Sequence, residues 1–214
     1  MDGFADWQCR ADELETGVDV HIDRLLEIMD PQAGAGDRFD WDEVGRALGF
    51  GLPDDYIEFM NAYGAGGIED YLDIFSPISL GDLGGPYTCI LSELGTAASV
   101  YMEEAGSRAG GGGNLELIQW GGDFDGNMYC WILMEAGDPW PVAVFNRSAV
   151  RWEFYSCGML DFLVGGISGS LIGARQVLGP IWDNPAPRFF NWKEDLRLRA
   201  SGVNPWTGGE SYTF

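Results

Sequence analysis

Residues 48–68 read LGFGLPDDYIEFMNAYGAGGI, from Leu48 to Ile68, and the glycines at the end of the stretch decide how the chain is folded around it. After a tight turn at Gly49–Gly51, Pro53 sits where a helix begins, because its missing N–H costs nothing in the first turn. Asp54, Asp55 and Glu58 complement the positive end of that helix. Tyr56, Phe59, Met60 and Tyr63 recur at helical spacing and mark its core face. Gly64 follows as the left-handed residue that closes a helix. A phosphate cradle of the GxGxxG kind needs a strand before its glycines and a helix after them. Here the order is reversed: helix, then Gly64-Ala65-Gly66-Gly67, then a strand-like Ile68–Phe75. The glycines are a helix stop.

Upstream, Asp40 with Glu43 three residues on resembles a capping box, and Trp41, Val44 and Leu48 give the next helix one apolar face. Further back, VDVHIDRLLEIMDP places Val18, Ile22, Leu25, Leu26 and Met29 at helical spacing, with Pro31 ending the helix. Downstream, Leu91–Ala105 reads as a helix weakened by Gly95. Strand-like segments then follow at Leu115–Trp120, Asn127–Met134, Trp140–Asn146 and Val150–Tyr155, joined by short turns and hence antiparallel. Asp125-Gly126 is the hairpin turn between the first two. Ser156 reads as the cap of a helix carrying Met159, Leu160, Phe162, Leu163 and Ile167.

The 214 residues include 34 acids and 12 bases, a net charge of −22. Such a balance excludes a nucleic-acid or anionic-membrane binder on electrostatic grounds. The acids are uneven: the chain up to Phe75 carries −15 of the total and the remainder −7. With His21 as the single histidine, imidazole metal sites and Ser-His-Asp or Cys-His arrangements have no basis. Cys9, Cys89, Cys130 and Cys157 lie far apart without a CxxC pair, which reads as free thiols in a reducing cytosol. Asp123, Asp125 and Asn127 imitate a calcium loop, but Met128 stands where glycine is required and Met134 where glutamate is. The N-terminus MDGFADWQCRADELE has neither a basic flank nor an apolar stretch, so neither a signal peptide nor a membrane helix is expected. The expectation is a cytoplasmic protein with no metal, no cofactor and no catalytic residues, and so no enzyme.

Together, WDEVGRALGFGLPDDYIEFMNAYGAGGIEDYLDIFSP, LIQWGGDFDGNMYCWIL and DPWPVAVFNRSAVRWEFYSCGMLDFLVGGISG resemble the SUKH superfamily, and within it the Smi/Knr-type bacterial immunity proteins. The resemblance is carried by Leu48-Gly49 before Leu52-Pro53 and Tyr56, by Tyr63-Gly64-Ala65-Gly66, and by Pro77. Further along it is carried by Trp120-Gly121, Gly126 before Tyr129 and Trp131, Trp152, Tyr155 and Phe162-Leu163. It spans about Asp40 to Gly169. It implies an α+β fold, with helices packed on one side of a mainly antiparallel β-sheet and no cofactor. It also implies a protein that binds and neutralises a cognate toxin, often a nuclease; the alternative is an intracellular protein-interaction scaffold. Nuclease toxins bind phosphates and are usually basic, which gives an acidic inhibitor a physical rationale.

Three regions follow: an N-terminal extension over 1–39, a SUKH-like domain over 40–169, and a C-terminal extension over 170–214. The last is broken by Pro180, Pro185, Pro187 and Pro205, yet Ile181, Trp182, Phe189, Phe190, Trp192 and Trp206 make it too apolar for a disordered tail. Arg188, Lys193, Arg197 and Arg199 against Glu194 and Asp195 make it locally basic. It is expected to pack back across the acidic domain; a partner contact or a dimer arm is the other reading. A toxin would meet acids flanking the two glycine-rich turns: Glu69, Asp70, Asp73, Asp123 and Asp125. Trp120 is either an aromatic anchor among them or a core residue. The oligomeric state is not legible.

Overall fold

A computed structural model describes residues 22–80, 88–107, 115–134 and 140–210. Seven strands make one sheet: β1 (Gly66–Ile68), β2 (Leu72–Ile74), β3 (Leu117–Asp123), β4 (Met128–Ile132), β5 (Val142–Asn146), β6 (Arg151–Tyr155) and β7 (Phe189–Asn191). Their order is β6-β5-β4-β3-β2-β1-β7, and every neighbouring pair is antiparallel. Around them run helices α1 (Ile22–Ile28), α2 (Trp41–Leu48), α3 (Asp54–Ala62), α4 (Ile90–Glu93), α5 (Thr96–Ser107), α6 (Met159–Ile167), α7 (Arg175–Leu178) and α8 (Trp192–Ala200). The fold is α+β. His21 and the residues before it, with the glycine loop after Arg108, lie outside the described residues.

The local signals act as read at several places. The Asp40 carboxylate accepts the N–H groups of Asp42 and Glu43, each at 3.1 Å, and starts α2. Gly64 closes α3 in the left-handed region at φ 74°, its N–H donating to Met60 O at 3.0 Å. Gly126 takes φ 79° at the β3–β4 turn.

Others differ for identifiable reasons. Ile68–Phe75 is not one strand but a hairpin, because Glu69 and Asp70 both enter the left-handed region and Tyr71 N–H returns to Ile68 O at 3.0 Å. Leu91–Ala105 is two helices, α4 and α5, broken where Gly95 takes φ 86°. Gly158, not Ser156, is the residue before α6, and it brings no side chain to cap with. The cap comes instead from α3, where the Asp55 carboxylate accepts Leu160 N–H at 3.3 Å. That carboxyl is held above its usual range, by burial first, with the helix N–H groups opposing. Next to it in sequence, Tyr56 is fully buried and donates to Phe75 O at 2.6 Å. The Leu52-Pro53-Asp54-Asp55-Tyr56 run thus ties three elements together.

Strand alternation sorts side chains to two faces. Tyr129 and Trp131 of β4, with Val142 and Val144 of β5, join one large cluster that includes Leu25, Tyr56, Phe59, Phe162 and Leu163. Cys130, Ile132 and Ala143 form a second cluster with Leu117 and with Ala97 and Tyr101 of α5. Tyr101 meets Trp152 of β6 edge-on, ring centres 5.9 Å apart. Helical side chains therefore meet both faces, where the family resemblance implies one. The reason is visible in β4: MYCWI is apolar on both sides, so each face needs cover.

The C-terminal segment extends the sheet. β7 pairs with β1, and Phe189 packs edge-on against Phe59 and Tyr63 at 5.8 and 5.3 Å. Trp206 meets Phe190 at 4.7 Å and lies over Gly67, where a Cβ would stand 3.2 Å from its ring. The glycines after α3 have this second purpose: a side chain at Gly66 would strike β7, and one at Gly64 would come within 2.7 Å of the Asp37 carboxylate. Gly49 has the same left-handed backbone, φ 87°, but open space where a Cβ would go. Gly49→Ala should therefore cost about 1 kcal/mol for backbone strain alone. Gly64→Ala should cost about 3 kcal/mol, the excess arising from the displaced Asp37 and Asn191. Chemical denaturation of both variants checks the difference, and equal losses would show that the crowding at Gly64 is relieved freely.

Candidate functional site

Antiparallel pairing brings three hairpin turns to one end of the sheet: Glu69–Tyr71, Phe124–Asn127 and Arg147–Val150. They are bonded to one another. Phe124 N–H donates to Tyr71 O at 2.9 Å, and Arg147 N–H donates to Asn127 Oδ1 at 2.9 Å. Tyr71 Oη donates to Asp125 Oδ2 at 2.9 Å, and this carboxylate, after burial, helps push the Tyr71 phenol upward in pKa.

The six residues expected to meet a partner do not form one set. Trp120 is fully buried among Tyr129, Trp131 and Phe162, so it is a core residue and reaches no partner. Its position in β3 on the large-cluster face accounts for this. Glu69 is held by Arg188: its Oε1 accepts the Arg188 backbone N–H at 2.6 Å, and its Oε2 pairs with Nη2 at 3.1 Å. Asp123 braces its own turn, accepting from Asn127 N at 2.9 Å, Asn127 Nδ2 at 2.7 Å and Tyr129 Oη at 2.7 Å. Asp70, Asp73 and Asp125 are exposed, Asp125 while holding Tyr71.

Asp73 lies on the face opposite the large core, opposed by Gly67 on β1 and Gly122 on β3. Its carboxyl is pushed up to about 6, by desolvation first and then by the charges of Asp70 and Asp195. Asp70 is raised as well, again by desolvation first, with Arg199 and Arg188 pulling it back and Asp195 pushing it up. These carboxylates are crowded. Asp195 belongs to α8 and accepts from Arg199 Nε at 2.7 Å, so the C-terminal segment contributes to the acidic patch as well as to the sheet.

Other reactive groups are poorly placed for chemistry. Burial raises the Cys130 thiol well above its ordinary value. Cys157 is pushed up to about 12 by burial, then by the charges of Asp161 and Asp55. Neither supplies a thiolate at neutral pH. Among the described residues, no group of three or more His, Cys, Asp or Glu side chains is arranged to hold a metal ion. Among the same residues, no single helix is long and apolar enough to cross a membrane. A shallow open depression over α2 has Asp42 and Arg46 as the charged members of its lining.

Phe124 is a further residue of this sheet end, outside the six expected from the sequence. Phe124 is 86% exposed at the tip of the β3–β4 turn, between Asp123 and Asp125. The available signal was an aromatic inside a DFDG turn, where neither sheet face can receive it.

No protein-family model matches the chain, and neither does any curated protein or solved structure.

Two outcomes follow from this geometry. A carboxyl whose folded pKa is raised lends its stability below the unfolded value, near 3.8, and withdraws it as pH climbs through about 6. Asp73→Asn should therefore melt higher than the parent at pH 7 to 8, and the gap should close between pH 6 and 4; a gap independent of pH would show that the Asp73 carboxyl is not raised in the fold. Asp123→Ala should cost about 2 kcal/mol by removing the acceptor of Asn127 N–H and Nδ2, while Tyr129 Oη keeps Val177 O, whereas Asp125→Ala at the exposed tip should cost about 0.5 kcal/mol. Thermal melts of the pair decide it.

Proposed function

We propose that this chain is a toxin-neutralising immunity protein of the SUKH type, which binds a basic toxin such as a nuclease through its acidic surface and works in the cytoplasm. The observation that carries this reading is the crowding of Asp70, Asp73 and Asp195. Desolvation first, and then the charges of Asp70 and Asp195, lift Asp73 to about 6, and the charge part of that cost is what an approaching cationic surface recovers. A net charge of −22 extends that attraction beyond the patch and steers a basic partner toward it. Residues that carry the resemblance, such as Tyr56 and Gly64, are engaged within the fold and leave the surface to set which toxin is bound.

A large toxin gene beside the one for this chain would favour the reading, and co-expression with its product tests it. The chain should co-purify with that product and keep the cells alive, and the association rate should fall steeply as salt rises. Cells that die at the same rate with and without the chain would overturn it.

A further inference from the structure

We infer that the braced tip of the β3–β4 turn is the contact centre for that basic partner, with Phe124 receiving an arginine or lysine side chain across its ring while Asp70 and Asp125 meet the charge. The inference rests on the binding role proposed above and adds the place and the chemistry of contact. Large exposed apolar side chains on a soluble fold are informative when they stand in a defined setting. Phe124 is 86% exposed, and Val150, on the neighbouring turn of the same sheet end, is 58% exposed.

The tip is held in place. Phe124 N–H is bonded to Tyr71 O, Asp125 is held by Tyr71 Oη, Gly126 N–H returns to Asp123 O at 3.0 Å, and Asp123 fixes Asn127. A ring presented on so constrained a backbone loses little freedom when bound, which is the condition for an interface anchor.

Charge selects the occupant. Asp125 beside the ring and Asp70 on the adjoining turn are exposed carboxylates, and Arg147, whose side chain lies over Gly126, is the exposed cation among these turn residues. A second copy of this chain would bring a net −22 against the same acids, and nucleic acid or an anionic membrane would bring phosphates. A guanidinium or ammonium gains from both groups at once, through the ring face and through the carboxylates.

The test titrates a synthetic decapeptide alternating arginine with glycine or serine into the ¹⁵N-labelled full chain at low salt. The expected amide shifts centre on Asp70, Tyr71, Phe124, Asp125 and Gly126. Phe124→Ser should weaken the peptide about fivefold with an unchanged melting temperature, and Phe124→Trp should restore it. Shifts centred on the acids of α2 and α3, equal affinity of the Phe124→Ser chain, or no binding at all would overturn the inference. The two proposals fail separately. A chain that protects cells while Phe124→Ser binds peptide like the parent refutes the tip alone. A tip that captures the peptide in a chain giving no protection refutes the immunity role alone.

Discussion

A carboxylate almost sealed from water holds the two ends of the described chain together. Asp37, 2% exposed, accepts Ala65 N–H at 2.9 Å and pairs with Nζ of Lys193, the single lysine of the sequence. Around it, Asn191 Nδ2 donates to Tyr63 O at 2.9 Å, and Asn191 N–H donates to Gln32 Oε1 at 3.1 Å. One small polar node thereby fixes the loop before α2, the end of α3, the start of β1 and the join between β7 and α8. Breaking a buried ion pair typically costs about 3–5 kcal/mol, and the half-exposed position of Lys193 puts this one toward the lower end. Gly64 has to be glycine because the node occupies the space its side chain would need.

From that node the arrangement of charge follows. β7 and α8 bring Arg188 to Glu69 and Asp195 to the neighbourhood of Asp73, so a locally basic segment cancels one acid and intensifies another. On the proposed reading, the partner meets what remains uncancelled. The end of the sheet then divides its work: Asp123 and Glu69 look inward and stiffen their turns, while Asp70, Phe124 and Asp125 look outward.

Much of the architecture was legible because it depends on short-range chemistry. Asp40 ahead of Trp41, Gly64 after Tyr63 and Asp125-Gly126 between alternating segments each declare a boundary within three or four residues. What stayed hidden depends on distant partners. Nothing near Asp55 reveals that it caps a helix 105 residues away, and nothing near Gly66 reveals that a strand from the far end will lie against it. The two-sided sheet is written in MYCWI, whose alternate residues are equally apolar. At the candidate site, composition pointed to acids, yet it does not distinguish a carboxylate already bonded, such as Asp123, from a free one such as Asp70. Trp120 and Phe124 show the same limit for aromatics: four positions apart, one lies on a strand and is buried, while the other lies on a turn and is exposed.

The outermost position of β7 bears on how the protein is born. Asn191 reaches back across 128 residues to Tyr63, so β1 emerges from the ribosome long before the strand that completes its edge. Until β7 is made, the nascent chain carries a strand with one unpaired edge and a carboxylate at Asp37 whose counter-ion has not yet been translated. Pairings of such sequence separation form late and slowly. An exposed strand edge in the interval is the place where unwanted association begins. The many acids of the first part of the chain are then already present, and like charge between neighbouring chains opposes such association.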